Sequence, residues 1–192
     1  MAEHVESPPA PAQLLEQFLP QLLATVELGE FVDLACGAGQ NGLLLAQHGA
    51  RVCFADRNEE ALQRCQTAIE RLPTAQQVGI RERVRYWPVD LEVEGENPLA
   101  GQSFAAVLVF RYLHRPLIPF LKQTIKPGGL LVYETFTVAN RQFGRPNNER
   151  FLLQPGELGS WFADWQILHS EELLEQQPVP RAVAQLVARK PG

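Results

Sequence analysis

The chain lacks most of what would tie it to a membrane or to nucleic acid. No apolar run in its 192 residues approaches the roughly 20 that a membrane-spanning helix needs. It has no run of Lys or Arg, and its net charge is −5 with a pI near 5.4, so no general electrostatic grip on nucleic acid is expected. It has three cysteines (Cys36, Cys53 and Cys65), an odd count without the paired spacing of a metal site, and these read as reduced thiols of a cytoplasmic protein. The opening MAEHVESPPAPA has no cationic start leading into an apolar core, which argues against a secretory signal. There is no internal repeat and no linker-like stretch. The expected organisation is a flexible segment over 1–12 and a single domain over 13–192.

What is present is an alternation of short apolar strands with amphipathic helices. Apolar residues at 14, 15, 18, 19, 22, 23 and 26 mark one helical face that Pro20 should kink. Strands are expected at 31–34, 51–55, 84–89, 104–110, 130–135, 165–169 and 182–188. Helices are expected at 40–48, from Asn58 to Leu72, from Arg115 to Lys126 and at 155–162, with loops at 92–103 and 137–153. The run FAAVLVF (104–110) is apolar throughout, as a strand covered on both faces requires. This order predicts a doubly wound, Rossmann-like α/β fold with a mostly parallel seven-stranded sheet and helices on both faces. Ligands of such sheets bind beyond the C-terminal ends of the strands, so Asp33, Asp56, Asp90, Phe110 and Thr135 should converge on one rim.

The most informative segment is FVDLACGAGQNG, residues 31–42. It reads as a strand, a loop of small residues and the start of a helix, an arrangement in which a ligand can approach exposed backbone N–H groups without meeting a Cβ. Gly37, Gly39 and Gly42 fit the spacing of a dinucleotide fingerprint, and Asp56 follows Gly37 by 19 residues, where an acid would meet a ribose. The acid at Asp33 argues against NAD(P), because a carboxylate beside a pyrophosphate repels it and one beside an amine or sulfonium attracts it. An NAD(P)-dependent oxidoreductase and a non-catalytic binding module nonetheless stay open as alternatives.

The series Asp33-Leu34-Ala35-Cys36-Gly37-Ala38-Gly39, with Asp56, Asp90-Leu91, the apolar fourth strand and Lys126-Pro127-Gly128-Gly129, resembles the class I S-adenosylmethionine-dependent methyltransferases over about residues 28–188. The segment FLLQPGEL (151–158) and the WQILHSEE that follows are similar to the small methyltransferases of the tellurite-resistance type. Ala35 stands where that class has its first glycine, and Ala105 where many members have aspartate. The resemblance implies a cofactor, S-adenosyl-L-methionine, and a role for each matching residue. The backbone of Ala35, Cys36, Gly37 and Gly39 would face its methionine end, which Asp33 would orient. Asp56 would take the ribose hydroxyls, with Arg57 flanking the adenine. Asp90 would take the adenine amino group, Leu91 would pack on the ring, and Phe110 and Arg111 would line the opposite side.

The reaction implied is in-line transfer of a methyl group to a small, electron-rich acceptor. Tyr112, His114, Arg115 and Glu134 are the candidate catalytic residues, and no metal is expected. Arg111, Arg115, Arg141 and Arg145 are candidates to hold an anionic acceptor, under a 137–153 loop that would act as a lid. The stretch after the fourth strand, FRYLHRP (110–116), does not carry the Asn/Asp-Pro-Pro-aromatic motif of methyltransferases acting on nucleic-acid amines.

Overall fold

A computed structural model describes residues 9–176 and 179–192; residues 1–8 of the expected flexible segment lie outside the described residues. The strands are β1 (Phe31–Leu34), β2 (Val52–Asp56), β3 (Val84–Pro88), β4 (Phe104–Phe110), β5 (Ile125–Phe136), β6 (Gln166–Glu175) and β7 (Arg181–Arg189). They form one sheet in the order β3-β2-β1-β4-β5-β7-β6. β7 runs antiparallel to both neighbours, so it alone opposes the direction of the rest. The α/β architecture is the expected one. Its central strands explain why: the side chains from Phe104 to Val109 are at most 1% exposed, and each large apolar side chain so buried contributes about 1.5–3 kcal/mol.

Two clusters of apolar side chains cover the faces of the sheet. One packs against α1 (Gln13–Gln17), α2 (Leu19–Leu23), α3 (Gln40–Gln47), α4 (Glu59–Glu70) and α5 (Thr74–Arg81). The other packs against α6 (Ile118–Thr124) and α7 (Glu157–Trp161). Asn58 caps α4 by accepting the Glu60 N–H at 2.9 Å, as its position in the sequence implied.

Strand β6, expected at 165–169, runs on to Glu175, and four further elements differ from expectation. The first helix breaks at Phe18 rather than kinking, and Pro20 opens the first turn of α2, where its missing N–H costs nothing. Helix α5 was not foreseen because only Ile80 of its residues is buried and Val78 is 59% exposed, which leaves no periodic face. Strand β5 runs through Pro127-Gly128-Gly129 instead of starting after it. A register irregularity between Phe104 and Ala106 absorbs the turn, and Gly128 adopts φ +76° there. The 137–153 loop holds two 3₁₀ turns, Val138–Phe143 and Glu149–Phe151. Its ends are joined: Leu153 N–H donates to Phe136 O and Val138 N–H to Leu153 O, both at 2.9 Å.

Candidate active site

The segment between β1 and α3 is shaped by what its glycines must avoid. Gly39 has φ +75°, and a Cβ there would come within 2.4 Å of Cys65 Sγ and 3.2 Å of Phe54. A Cβ on Gly42 would come within 2.5 Å of Phe54. Those two glycines serve packing beneath the loop. Gly37 differs: its φ is +56°, yet a Cβ would meet nothing within 4 Å among the described residues. The loop is therefore closed on its inner side and open at Gly37. Ala35 also takes a left-handed φ, +52°, uncommon for a residue with a side chain, at the position where the resemblance has glycine.

Asp33 is 2% exposed and lies under the loop, its Oδ2 accepting the Gly42 N–H at 2.9 Å. Burial pushes its carboxyl up to about 7; the Gly42 bond opposes that shift and the nearby Asp56 charge adds to it. Asp56 ends β2 with Oδ2 accepting the Gly37 N–H (3.0 Å) and Oδ1 accepting the Asn58 N–H (2.9 Å). This ties the open face of the loop to the second strand.

Beyond these strand ends lies a cleft of about 420 Å³. Six of the sequence-derived cofactor residues line it: Ala35, Asp56, Arg57, Asp90, Leu91 and Arg111. Asp33, Cys36, Gly37, Gly39 and Phe110 are not among the lining residues; Cys36 is 8% exposed, and Phe110 packs against the helix-covered cluster. Arg111 has φ +56° at the exit of β4, with its N–H bonded to Glu134 O at 2.8 Å. Local strain of this kind concentrates at functional positions.

The candidate catalytic residues separate. Tyr112 lines the cleft; its buried hydroxyl has no hydrogen-bond partner among the described residues, and burial together with the nearby Glu92 and Asp90 carboxylates pushes its pKa up. His114 lies in an adjoining cavity of about 520 Å³, with Leu117, Phe120 and Glu92. Arg115 is turned away from both. Its Nε and one terminal nitrogen donate to Glu157 at 2.7 and 2.9 Å, and the guanidinium also reaches Leu152 O (2.9 Å) and Arg150 O (3.2 Å). The Arg115 bonds hold the Glu157 carboxyl below the usual range. Glu134 is 2% exposed, bonded by the Gln185 amide at 2.8 Å with Arg181 3.8 Å away, and burial raises its pKa. It belongs to a buried network between β5 and β7. Arg141 pairs with Glu149 at 2.6 Å. Of the arginines proposed to hold an acceptor, Arg115 and Arg141 are thus engaged with glutamates, because the 137–157 segment carries acids that the linear sequence does not bring to mind.

Sequence reasoning passed over Val89, Glu92, Leu113 and Phe136, which line the cleft, and placed Pro146 and Phe151, which also line it, only within the 137–153 loop. Phe136 was within reach as the residue after the β5 end. Pro146 and Phe151 reach the site through loop folding that has no periodic signal.

Residues 21–178 match the family described as Tellurite resistance protein TehB. The chain belongs to that family. Its fold is similar to the crystal structure of TehB from Haemophilus influenzae, with a TM-score of 0.66 and 18% identity over 89% of this chain and 62% of that one. The N-methyltransferase NodS from Bradyrhizobium japonicum WM9, in complex with S-adenosyl-L-homocysteine, gives a TM-score of 0.62 at 17% identity, over 94% and 89% of the two chains. A curated relative, Hemagglutinin 1 from Eikenella corrodens, is 26% identical over 185 residues; the chain spans 58% of its length. At such identities the structural likeness establishes the fold. The family and the methyltransferase fold read from the motifs are the ones found. No described helix is long and apolar enough to cross a membrane.

Proposed function

We propose that the chain is an S-adenosyl-L-methionine-dependent methyltransferase acting on a small, electron-rich acceptor in the cytoplasm. The observation that carries this reading is the cleft itself: a glycine loop with open space at Gly37 stands beside the strand-end residues Asp56, Asp90 and Leu91. The residues suit an adenosine-bearing cation. Asp56 uses each oxygen once on a backbone N–H, leaving further lone pairs for ribose hydroxyls. Asp90 accepts the Glu92 N–H through Oδ1, leaving its other oxygen for an adenine amino group. Leu91 and Arg57 would hold the ring, and Tyr112, whose hydroxyl has no partner among the described residues, lines the same cleft. Asp33, beneath the loop, would favour positive charge above it.

The cofactor supplies a methyl group on a positively charged sulfur, already activated for displacement. The protein has to align the acceptor with that methyl and exclude water. Phe136, Pro146 and Phe151 form the apolar wall suited to exclusion, on the β5 side of the cleft. Arg111, which lines the cleft, would orient an acceptor there. Arg115 would act through the loop it holds, and Glu134 through Arg111, whose backbone it anchors. A proton, where the acceptor carries one, could pass to His114 or to water.

Calorimetric titration with S-adenosylmethionine, S-adenosylhomocysteine and NAD, repeated on Asp56→Ala, tests the reading. Saturable binding of the first two, weakened at least tenfold in the variant and absent for NAD, is the expected result. Binding of NAD alone would overturn it.

A further inference from the structure

The sequence presents three separate cysteines, but the fold brings two of them together under the glycine loop. Cys36, in the loop, and Cys65, on α4, have their sulfurs 3.8 Å apart. Cys65 also directs its thiol at the Gly37 carbonyl, 3.7 Å away. Because Gly39 lacks a Cβ, nothing wedges between the loop and the Cys65 sulfur: a methyl group there would come within 2.4 Å of it. A disulfide needs the sulfurs to close to about 2.05 Å. The approach is therefore about 1.8 Å, within reach of a rotation of Cys36 on a loop flanked by Gly37 and Gly39. Cys53 is fully buried and contacts neither of the other sulfurs among the described hydrogen-bond partners.

We propose that Cys36 and Cys65 are a dithiol modification site, closed to a disulfide by a hydroperoxide, which lowers cofactor affinity by pulling the loop toward α4. Cys36, 8% exposed against 2% for Cys65, is the sulfur that peroxide meets first. As the thiolate it attacks one peroxide oxygen; the O–O bond breaks, leaving a sulfenic acid and, from hydrogen peroxide, one water. The Cys65 sulfur then displaces the oxygen from Cys36, and a second water leaves. The two thiols give up two electrons and two protons, and the peroxide takes them up. The contact with Cys65, burial and the neighbouring Asp33 and Asp56 carboxylates all keep Cys36 protonated. Oxidation therefore waits on opening of the loop, and a molecule bound over Gly37 slows it.

The effect on affinity rests on the cofactor assignment above; the cross-link does not. The test treats the reduced protein with hydrogen peroxide, with and without S-adenosylhomocysteine, maps disulfides by peptide mass spectrometry and titrates S-adenosylhomocysteine before and after. The expected results are a Cys36–Cys65 cross-link, slower when S-adenosylhomocysteine is present, a Kd raised at least tenfold and recovery with dithiothreitol. Cys65→Ser should bind normally and lose the peroxide effect; Cys36→Ser provides a second variant for the mapping. Absence of the cross-link, or a cross-linked protein with unchanged affinity, would overturn the proposal. Failure of the reduced protein to bind S-adenosylhomocysteine would instead overturn the cofactor assignment, with the mapping still deciding whether the dithiol closes.

Discussion

The two ends of the cleft are built differently. On the β1–β3 side the surface is main chain and strand-end acids, fixed by hydrogen bonds such as Gly37 N–H to Asp56 and Gly42 N–H to Asp33. On the β5 side it is a wall of Phe136, Pro146 and Phe151, delivered by a long loop that is held at its far end by Arg115 and Glu157. The first side depends on backbone shape, which few residue types can adopt. The second depends on side-chain ties that could be rebuilt in many ways. A constant ligand suits the first and a variable acceptor the second.

Substitution at the loop glycines should break this contrast most sharply. Gly39→Ala meets both a left-handed φ and Cys65 Sγ at 2.4 Å, so a loss of about 2–5 kcal/mol is expected from strain and overpacking together. Gly37→Ala has the φ penalty alone, about 1 kcal/mol. Its Cβ would instead occupy the ligand's space, so cofactor affinity should fall far more than stability. Thermal denaturation and calorimetry on the pair separate the two roles, and equal stability losses would mean that Gly37 is not an open face.

Asp33 gives the next effect, through pH. Its folded pKa, about 7, lies above the 3.8 of an unperturbed aspartate, so between these values the folded state binds the extra proton and stability falls as pH rises, by at most about 4 kcal/mol. The loss is complete about one pH unit above the folded value, near pH 8. Asp33→Asn should flatten this slope in denaturant titrations from pH 4 to 8 while weakening cofactor binding at pH 8. A slope unchanged in the variant would assign the pH dependence elsewhere.

Arg115→Ala tests the other end. Its side chain is 36% exposed, so the stability loss should be small, about 1 kcal/mol. Hydrogen exchange should rise across residues 149–157 while S-adenosylhomocysteine affinity stays within about twofold. The smallest stability effect should come from Phe151→Ala, because Phe151 is 45% exposed. With an identified acceptor, that variant should raise KM and leave the cofactor Kd alone.

The sequence disclosed the cofactor end because its constraints are local. Small residues at Ala35, Gly37 and Gly39, and acids closing successive strands, are visible in order along the chain. Of these, Ala35, Asp56 and Asp90 line the cleft. The acceptor end was harder to read because arginines look alike whether they meet a substrate or a glutamate 42 residues away, as Arg115 meets Glu157. Helix α5 was missed for a related reason: Ile80 alone anchors it, and one buried residue makes no period. The Cys36–Cys65 contact joins a loop to a helix 29 residues on, and no spacing rule points to it.

The most direct test of the central claim is a crystal structure of the protein grown with S-adenosylhomocysteine. The account predicts the ribose hydroxyls on Asp56, the adenine between Arg57 and Leu91 with its amino group on Asp90, and the homocysteine over Gly37. Density for the ligand at another surface, or a ribose that leaves Asp56 bonded only to Gly37 and Asn58, would contradict it.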